Sequence, residues 1–137
     1  MSLFSFSGTP PTDIGVNNGQ LKPCPDTPNC VSSQAPANDK EHMIAPFSYT
    51  GAAKDAIARL KQIIEGMERS TVNKVTDDYL YAEFSSKLMG FVDDVEFYAP
   101  PDESVIHTRT AARLGKSDLG ANRKRTEEIR ARFTADS

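Results

Sequence analysis

The sharpest constraint on the fold is a change of periodicity at Gly66. Upstream, residues 51–69 (GAAKDAIARLKQIIEGMER) set Ala53, Ile57, Leu60, Ile64 and Met67 on one stripe at helical spacing, which predicts an amphipathic helix with its apolar face in the core. Thr50 is its expected N-cap, and Asp55/Arg59 and Lys61/Glu65 are i,i+4 pairs for its outer face. Downstream, apolar and polar residues alternate in strand-like runs: Ser70 to Thr76, Tyr79 to Leu88, Phe91 to Ala99 and Ser104 to Ala111. Their connections (Asp77-Asp78, a bend at Met89-Gly90, and Pro100 to Glu103) are too short for crossovers, so neighbouring strands must be antiparallel. Ile44 to Tyr49 reads as a further short edge strand, because Pro46 cannot donate to a ladder.

A second helix is expected from about Leu119 to Phe133, started by Ser117 or Asp118. Its stripe is Leu119, Asn122, Thr126, Ile129 and Phe133, which puts an amide on the apolar face. A buried amide costs about 1–3 kcal/mol per unmet group, so Asn122 either ties the preceding loop or faces a ligand pocket. Arg123/Glu127, Lys124/Glu128 and Glu128/Arg132 supply i,i+4 pairs outside. The fold class that results is α+β: an antiparallel meander of four to five strands packed by two helices, with an extended Pro-rich N-terminal arm.

Charge is distributed unevenly. The chain has a formal net charge of −3, yet residues 109–132 hold eight Lys or Arg against three acids. The helical part of this excess is largely absorbed by the pairs above. Arg109, Arg113 and Lys116 have no acid close in sequence and precede a helix N-terminus, where free N–H groups and the dipole favour an anion. With Ser117, Asp118 and Asn122 they form a candidate anion site, although the Asp118 carboxylate competes for the same place. The alternative is that Arg109 and Arg113 pair internally with Asp93, Asp94 or Glu96.

One sheet face is unusually polar. Pairing Phe97 with Ile106 sets Asp94 opposite Arg109 and Glu96 opposite His107; pairing Ser85 with Asp94 sets Glu83 opposite Glu96 and Tyr81 opposite Tyr98. Facing carboxylates require cations between them, and Lys87, His107 and Arg109 are at hand. Glu83, Asp94, Glu96 and His107 therefore form either a solvated face or a polar pocket in which a carboxyl pKa is raised.

Residues 1–41 carry six of the nine prolines and little periodicity, which reads as an arm preceding a domain over 42–137, with Leu21 and Val31 as its anchors. Cys24 and Cys30, the only cysteines, are separated by a turn stiffened with Pro25 and Pro28. They can close a short disulfide, remain as thiols, or, less simply, join His42 and His107 around zinc.

At 137 residues the chain has material for one core. Its pI near 5.4 and the lack of aromatics interleaved with the basic stretch weigh against nucleic acid. There is no GxSxG, Walker loop, GxGxxG or HExxH, so no metal, cofactor or catalytic residue is assigned. No apolar run reaches the ~20 residues of a membrane span. A cytoplasmic location is expected for the chain as written, and an exported or lumenal one if a leader has been removed.

Three ordered segments, PCPDTPNCVSS at 23–33, GFVDDVEFY at 90–98 and RTAARLGKSDLGANRKRTEEIR from Arg109, together resemble the domain of unknown function 1499 family, small proteins of bacteria and plant plastids. The resemblance spans about residues 20–134 and implies no particular activity. It places Cys24, Cys30, Asp93, Asp94, Glu96, Arg109, Arg113, Ser117, Asp118, Gly120, Asn122, Arg123 and Arg125 at family motif positions. Thr110, followed by Ala111 and Ala112, stands where the family pattern usually carries a Ser after the first Arg of the loop. Three functional readings follow. The first is a non-enzymatic binding or accessory module for an anionic small molecule, lipid headgroup or acidic protein segment. The second is an enzyme using Asp94 or Glu96 with His107 in acid–base chemistry. The third is a structural partner protein with a redox-responsive Cys24/Cys30 pair.

Overall fold

The alternating segments pair as one antiparallel sheet. The computed structural model describes residues 8–86, 90–115 and 117–135; the expected bend at Met89-Gly90 falls partly outside them, as do Lys87 and Lys116. Strands β3 (Ser70–Val75), β4 (Tyr79–Ser85), β5 (Val92–Tyr98) and β6 (Val105–Ala112) form the meander. The far side of β6 is covered end to end by two short strands, β1 (Cys30–Ser32) against residues 109–111 and β2 (Phe47–Ser48) against residues 105–106. The stretch read as an N-terminal arm thus contributes β1 to the sheet. Pairing is regular except in β3, where the register shifts between Val72 and Lys74.

The strand registers differ from expectation by two residues. Phe97 pairs with Thr108 and Glu96 with Arg109, while Tyr81 faces Glu96 and Glu83 faces Asp94. Because side chains alternate with a period of two, a slip of two keeps every residue on its expected face but changes its partner. The turns differ in length from the expected ones: β6 begins one residue later and runs one residue further than the sequence suggests.

One face of the sheet carries the apolar core. Leu80, Ala82, Phe84, Val95, Phe97 and Ile106 meet helix α1 (Ala53–Glu65) through Ile57, Leu60, Ile63 and Ile64, and helix α2 (Ala121–Ala135) through Ile129 and Phe133. Phe47 stands edge-on to Phe97, with ring centroids 5.5 Å apart. Three local expectations are corrected by competing partners. Ala52, not Thr50, occupies the cap position of α1 and makes no side-chain cap bond. Arg59 stacks over the Phe133 ring at 4.0 Å and donates to the Phe133 carbonyl, rather than pairing with Asp55. Arg123 donates to the carbonyls of Lys40, Glu41 and Met43, and Arg130 to those of Ala45 and Pro46 as well as to Glu127. Fixing segment 40–46 through otherwise unmet carbonyls is a better use of a guanidinium than a solvated i,i+4 pair. The Lys61/Glu65 and Glu128/Arg132 pairs do form.

His42 ties the same segment to Thr27. Its Nδ1 lies 2.8 Å from the Asp39 carboxylate and its Nε2 2.9 Å from the Thr27 carbonyl. Both ring nitrogens face acceptors, so the imidazolium is favoured; the hydrogen bond to Thr27 leads in raising its pKa above the usual 6.5, with Asp39 assisting and burial opposing.

Two measurements test this architecture. Phe97→Ala is expected to lower unfolding free energy by about 3–5 kcal/mol in urea titrations. Since His42 has a raised folded pKa, its contribution is complete below the unfolded value and is lost as pH rises through the folded one. Stability should therefore fall as pH rises from about 6.5 through the raised folded value, and His42→Ala should flatten that part of the profile.

Candidate functional site

The opposite face of the sheet is the polar one, and along β5 and β6 its charged residues Asp94, Glu96 and Arg109 are buried. Residues 8–25 run across it: Leu21 packs on Tyr79 and Tyr98, the Gly15 N–H donates to Glu96, and the Pro23 carbonyl accepts from Arg109 at 3.5 Å. Gly15 has φ 108°, a conformation that suits glycine and turns its amide onto the carboxylate. The disulfide Cys24–Cys30, with Cα atoms 5.7 Å apart, ties this covering segment to β1. Leu21 and Val31 are buried, as expected of anchors.

Two layers of charge lie beneath. In one, Arg113 joins Asp94 at 2.6 Å, Glu83, and the Tyr81 hydroxyl, while Tyr81 also donates to Asp94 at 2.6 Å. Asn73 donates to Glu83 as well. Burial pushes the Glu83 carboxyl up, but the bonds from Asn73 and Arg113 outweigh it and hold its pKa below the usual range. Bonds from Asp94 first, with Glu83 assisting, keep Arg113 firmly protonated. This arginine is internally paired.

The second layer is looser. Glu96 is 0% exposed and Arg109 5%. Glu96 Oε2 accepts from the Tyr79 hydroxyl at 2.5 Å and from the Gly15 amide at 2.8 Å. Its Oε1 has no hydrogen-bond partner and lies 3.9 Å from Arg109 Nη1, and Arg109 Nε is likewise without one. Burial dominates both groups, raising the Glu96 pKa against the pull of Tyr79, Gly15 and Arg109, and lowering that of Arg109. Arg109 and Arg113 line a cleft of about 490 Å³ between the sheet and segment 8–25, with Asp94, Lys22, Ile14, Pro23 and Ala111 among its walls. That volume is in the range of small-ligand sites.

The remaining candidates sit elsewhere. Asp118 caps α2, accepting from the N–H groups of Gly120 at 2.8 Å and Asn122 at 3.0 Å, so its own carboxylate fills the place proposed for an anion at that helix start. Ser117 accepts from the Leu119 amide, and Leu119, expected in the apolar stripe, is 97% exposed with φ 54°. Asn122, 0% exposed, accepts from Thr110 and Arg125 and donates to Asp118 and the Asn29 carbonyl. It ties the loop. Asp93 lies on the helix side of the sheet, paired with Arg125 at 2.8 Å. His107 stands opposite Tyr98, with Nδ1 2.9 Å from Ser33 Oγ and Nε2 3.9 Å from Glu103, so it is not brought to Glu96 or Asp94. Among the described residues, no group of three His, Cys, Asp or Glu is placed to hold a metal. Sequence reasoning did not anticipate the Gly15 amide, Tyr79 or the Pro23 carbonyl. Tyr79 was readable from its alternation with Tyr81, whereas the two backbone groups leave no trace in residue type.

The fold and site define a small α+β domain with a buried charge network under an N-terminal covering segment. Over residues 20–133 the chain matches the family described as Protein of unknown function (DUF1499), and it belongs to that family. No curated protein matches it in sequence. No helix among the described residues is long and apolar enough to cross a membrane.

Two substitutions separate support from idle polarity. Arg113→Ala strands Asp94 and Glu83 without their cation and should cost about 3–5 kcal/mol in chemical denaturation. Asn122→Ala leaves the Thr110 hydroxyl without its acceptor, while the Asn29 carbonyl keeps the Ala112 N–H, and should cost about 1–3 kcal/mol.

Proposed function

We propose that this protein is a binding or accessory module that takes a small anion in the cleft beneath segment 8–25, with Arg109 as its anchor. The observation that carries this reading is the state of Arg109: a nine-tenths buried guanidinium, lining a cleft, with one N–H unpartnered and its nearest acid at 3.9 Å. Arg113 is committed to Asp94 and Glu83 and serves as wall rather than anchor. An arginine held this way has donors to offer a carboxylate or phosphate, and the surrounding low dielectric strengthens the contact. Lys22, although paired with Asp13 at 2.6 Å, adds positive potential at the rim. The distant helix start, already capped by Asp118, takes no part.

Titration calorimetry of the full chain with phosphate, acetate, butyrate and benzoate tests the reading. At least one of these anions should bind, and Arg109→Gln should weaken it by at least tenfold while circular dichroism shows the sheet retained. Absence of binding by all four, or binding unaffected in Arg109→Gln, sinks the proposal.

A further inference from the structure

We infer that the Cys24–Cys30 disulfide is a thiol-sensitive latch on this cleft: oxidised, it holds residues 22–26 in place as one wall, and reduced, it releases them. The consequence for ligand affinity rests on the anion-binding reading above, whereas the latch itself does not. Lys22, Pro23, Cys24 and Pro25 line the cleft together with Arg109 and Ala111. Among the described residues, two links tie this wall to the sheet: the disulfide, and the Pro23 carbonyl that accepts from Arg109 at 3.5 Å, a distance at the outer limit of a hydrogen bond. Pro23 and Pro25 have no N–H to donate, and Lys22 is engaged by Asp13 within the same covering segment. Pro23, Pro25 and Asp26 are exposed, so packing adds little.

The flanks are held independently of the disulfide. Upstream, Leu21 is buried with its N–H donating to the Gln34 side chain, and the Gly15 amide donates to Glu96. Downstream, the Thr27 carbonyl accepts from His42, the Asn29 carbonyl accepts from the Ala112 N–H, and Cys30 pairs with Ala111. Breaking the S–S bond therefore frees the stretch between Leu21 and Thr27. The two cysteines are six residues apart in sequence. A loop that short restricts the unfolded chain less than a long one, and the apolar core lies on the other sheet face, so the fold should survive reduction. Access is one-sided: Cys24 is half-buried and lines the cleft, whereas Cys30 is fully buried. A dithiol reductant thus attacks Cys24 Sγ; the S–S bond breaks, and Cys30 leaves as a thiolate that takes up a proton. The reductant's second thiolate then displaces Cys24 from the mixed disulfide. Two electrons pass to the protein, both cysteines end as thiols, and the reductant ends as its own disulfide. A wall that is no longer fixed must be ordered by the ligand, which weakens binding.

The test compares the full chain with and without dithiothreitol, free thiols being counted by alkylation and mass spectrometry in each form. In backbone amide NMR relaxation, the heteronuclear NOE of Lys22, Cys24 and Asp26 should fall on reduction while that of Gly15, Leu21 and Val31 holds, and reoxidation should restore it. In calorimetry with phosphate, acetate, butyrate and benzoate, the anion bound by the oxidised form should be held about fivefold or more weakly by the reduced form and by the double variant Cys24→Ser/Cys30→Ser. An unchanged NOE at residues 22–26, a disulfide that dithiothreitol leaves intact in the folded chain, or loss of the whole fold on reduction overturns the latch, whether or not any anion binds. A lowered NOE with unchanged anion affinity overturns its control of the cleft. If the oxidised chain binds none of the four anions, the anion reading fails, and the relaxation result alone decides the latch.

Discussion

Placing ionised side chains on a sheet face that is closed to water is the constraint on which this structure depends. Desolvating Glu96, Asp94, Arg109 and Arg113 is unfavourable by several kcal/mol per ion unless attraction and hydrogen bonds offset it. β5 and β6 meet that demand by register: Glu96 faces Arg109, and Arg113 follows at the end of β6 in reach of Asp94. The covering segment is both the cause of the desolvation and part of its remedy. Without residues 8–25 the face would be wet and its charges ordinary; with them, the Gly15 amide and Pro23 carbonyl replace solvent at two points. The disulfide to β1 supports that arrangement by limiting the freedom of the unfolded segment.

The two arginines therefore stand in different physical situations despite lying four residues apart. Arg113 has two carboxylates and a phenol, and its role is saturated. Arg109 has a long ion pair and a marginal carbonyl contact. A fold that needed only stability would be expected to close that gap, because unmet buried polar atoms are uncommon in native proteins. The asymmetry, rather than the abundance of basic residues, is what marks the position.

Much of the fold was legible in the sequence because periodicity reports faces directly. The α1 stripe, the alternation from Ser70 onward and the switch at Gly66 lead to the observed layers, and the acids of β5 were recognised as facing away from the core at Asp94 and Glu96. Pairing was less legible. Register depends on turn geometry, and residues 99–104 admit alignments two residues apart with the same faces. The fate of the polar face was hidden for a different reason: the contacts that cover it come from a segment without periodicity, through a glycine amide and a proline carbonyl. The basic surplus of residues 109–132 misled in one respect. It suggested i,i+4 pairs along the helix, whereas most of those guanidiniums are consumed by the carbonyls of segment 40–46 and by acids of the sheet.

The shifted pairing within β3 has a consequence for assembly. β1 and β2 shield one side of the sheet, so among the described residues β3 presents the long outer rim. A regular rim offers an evenly spaced row of amides and carbonyls on which another chain can build. The irregularity between Val72 and Lys74 interrupts that row midway, and the lysine adds charge where a newcomer would lie. Both are recognised means of keeping a sheet from growing by edge-to-edge addition. The same small defect that disturbs one ladder thus guards the protein against fibrous self-association.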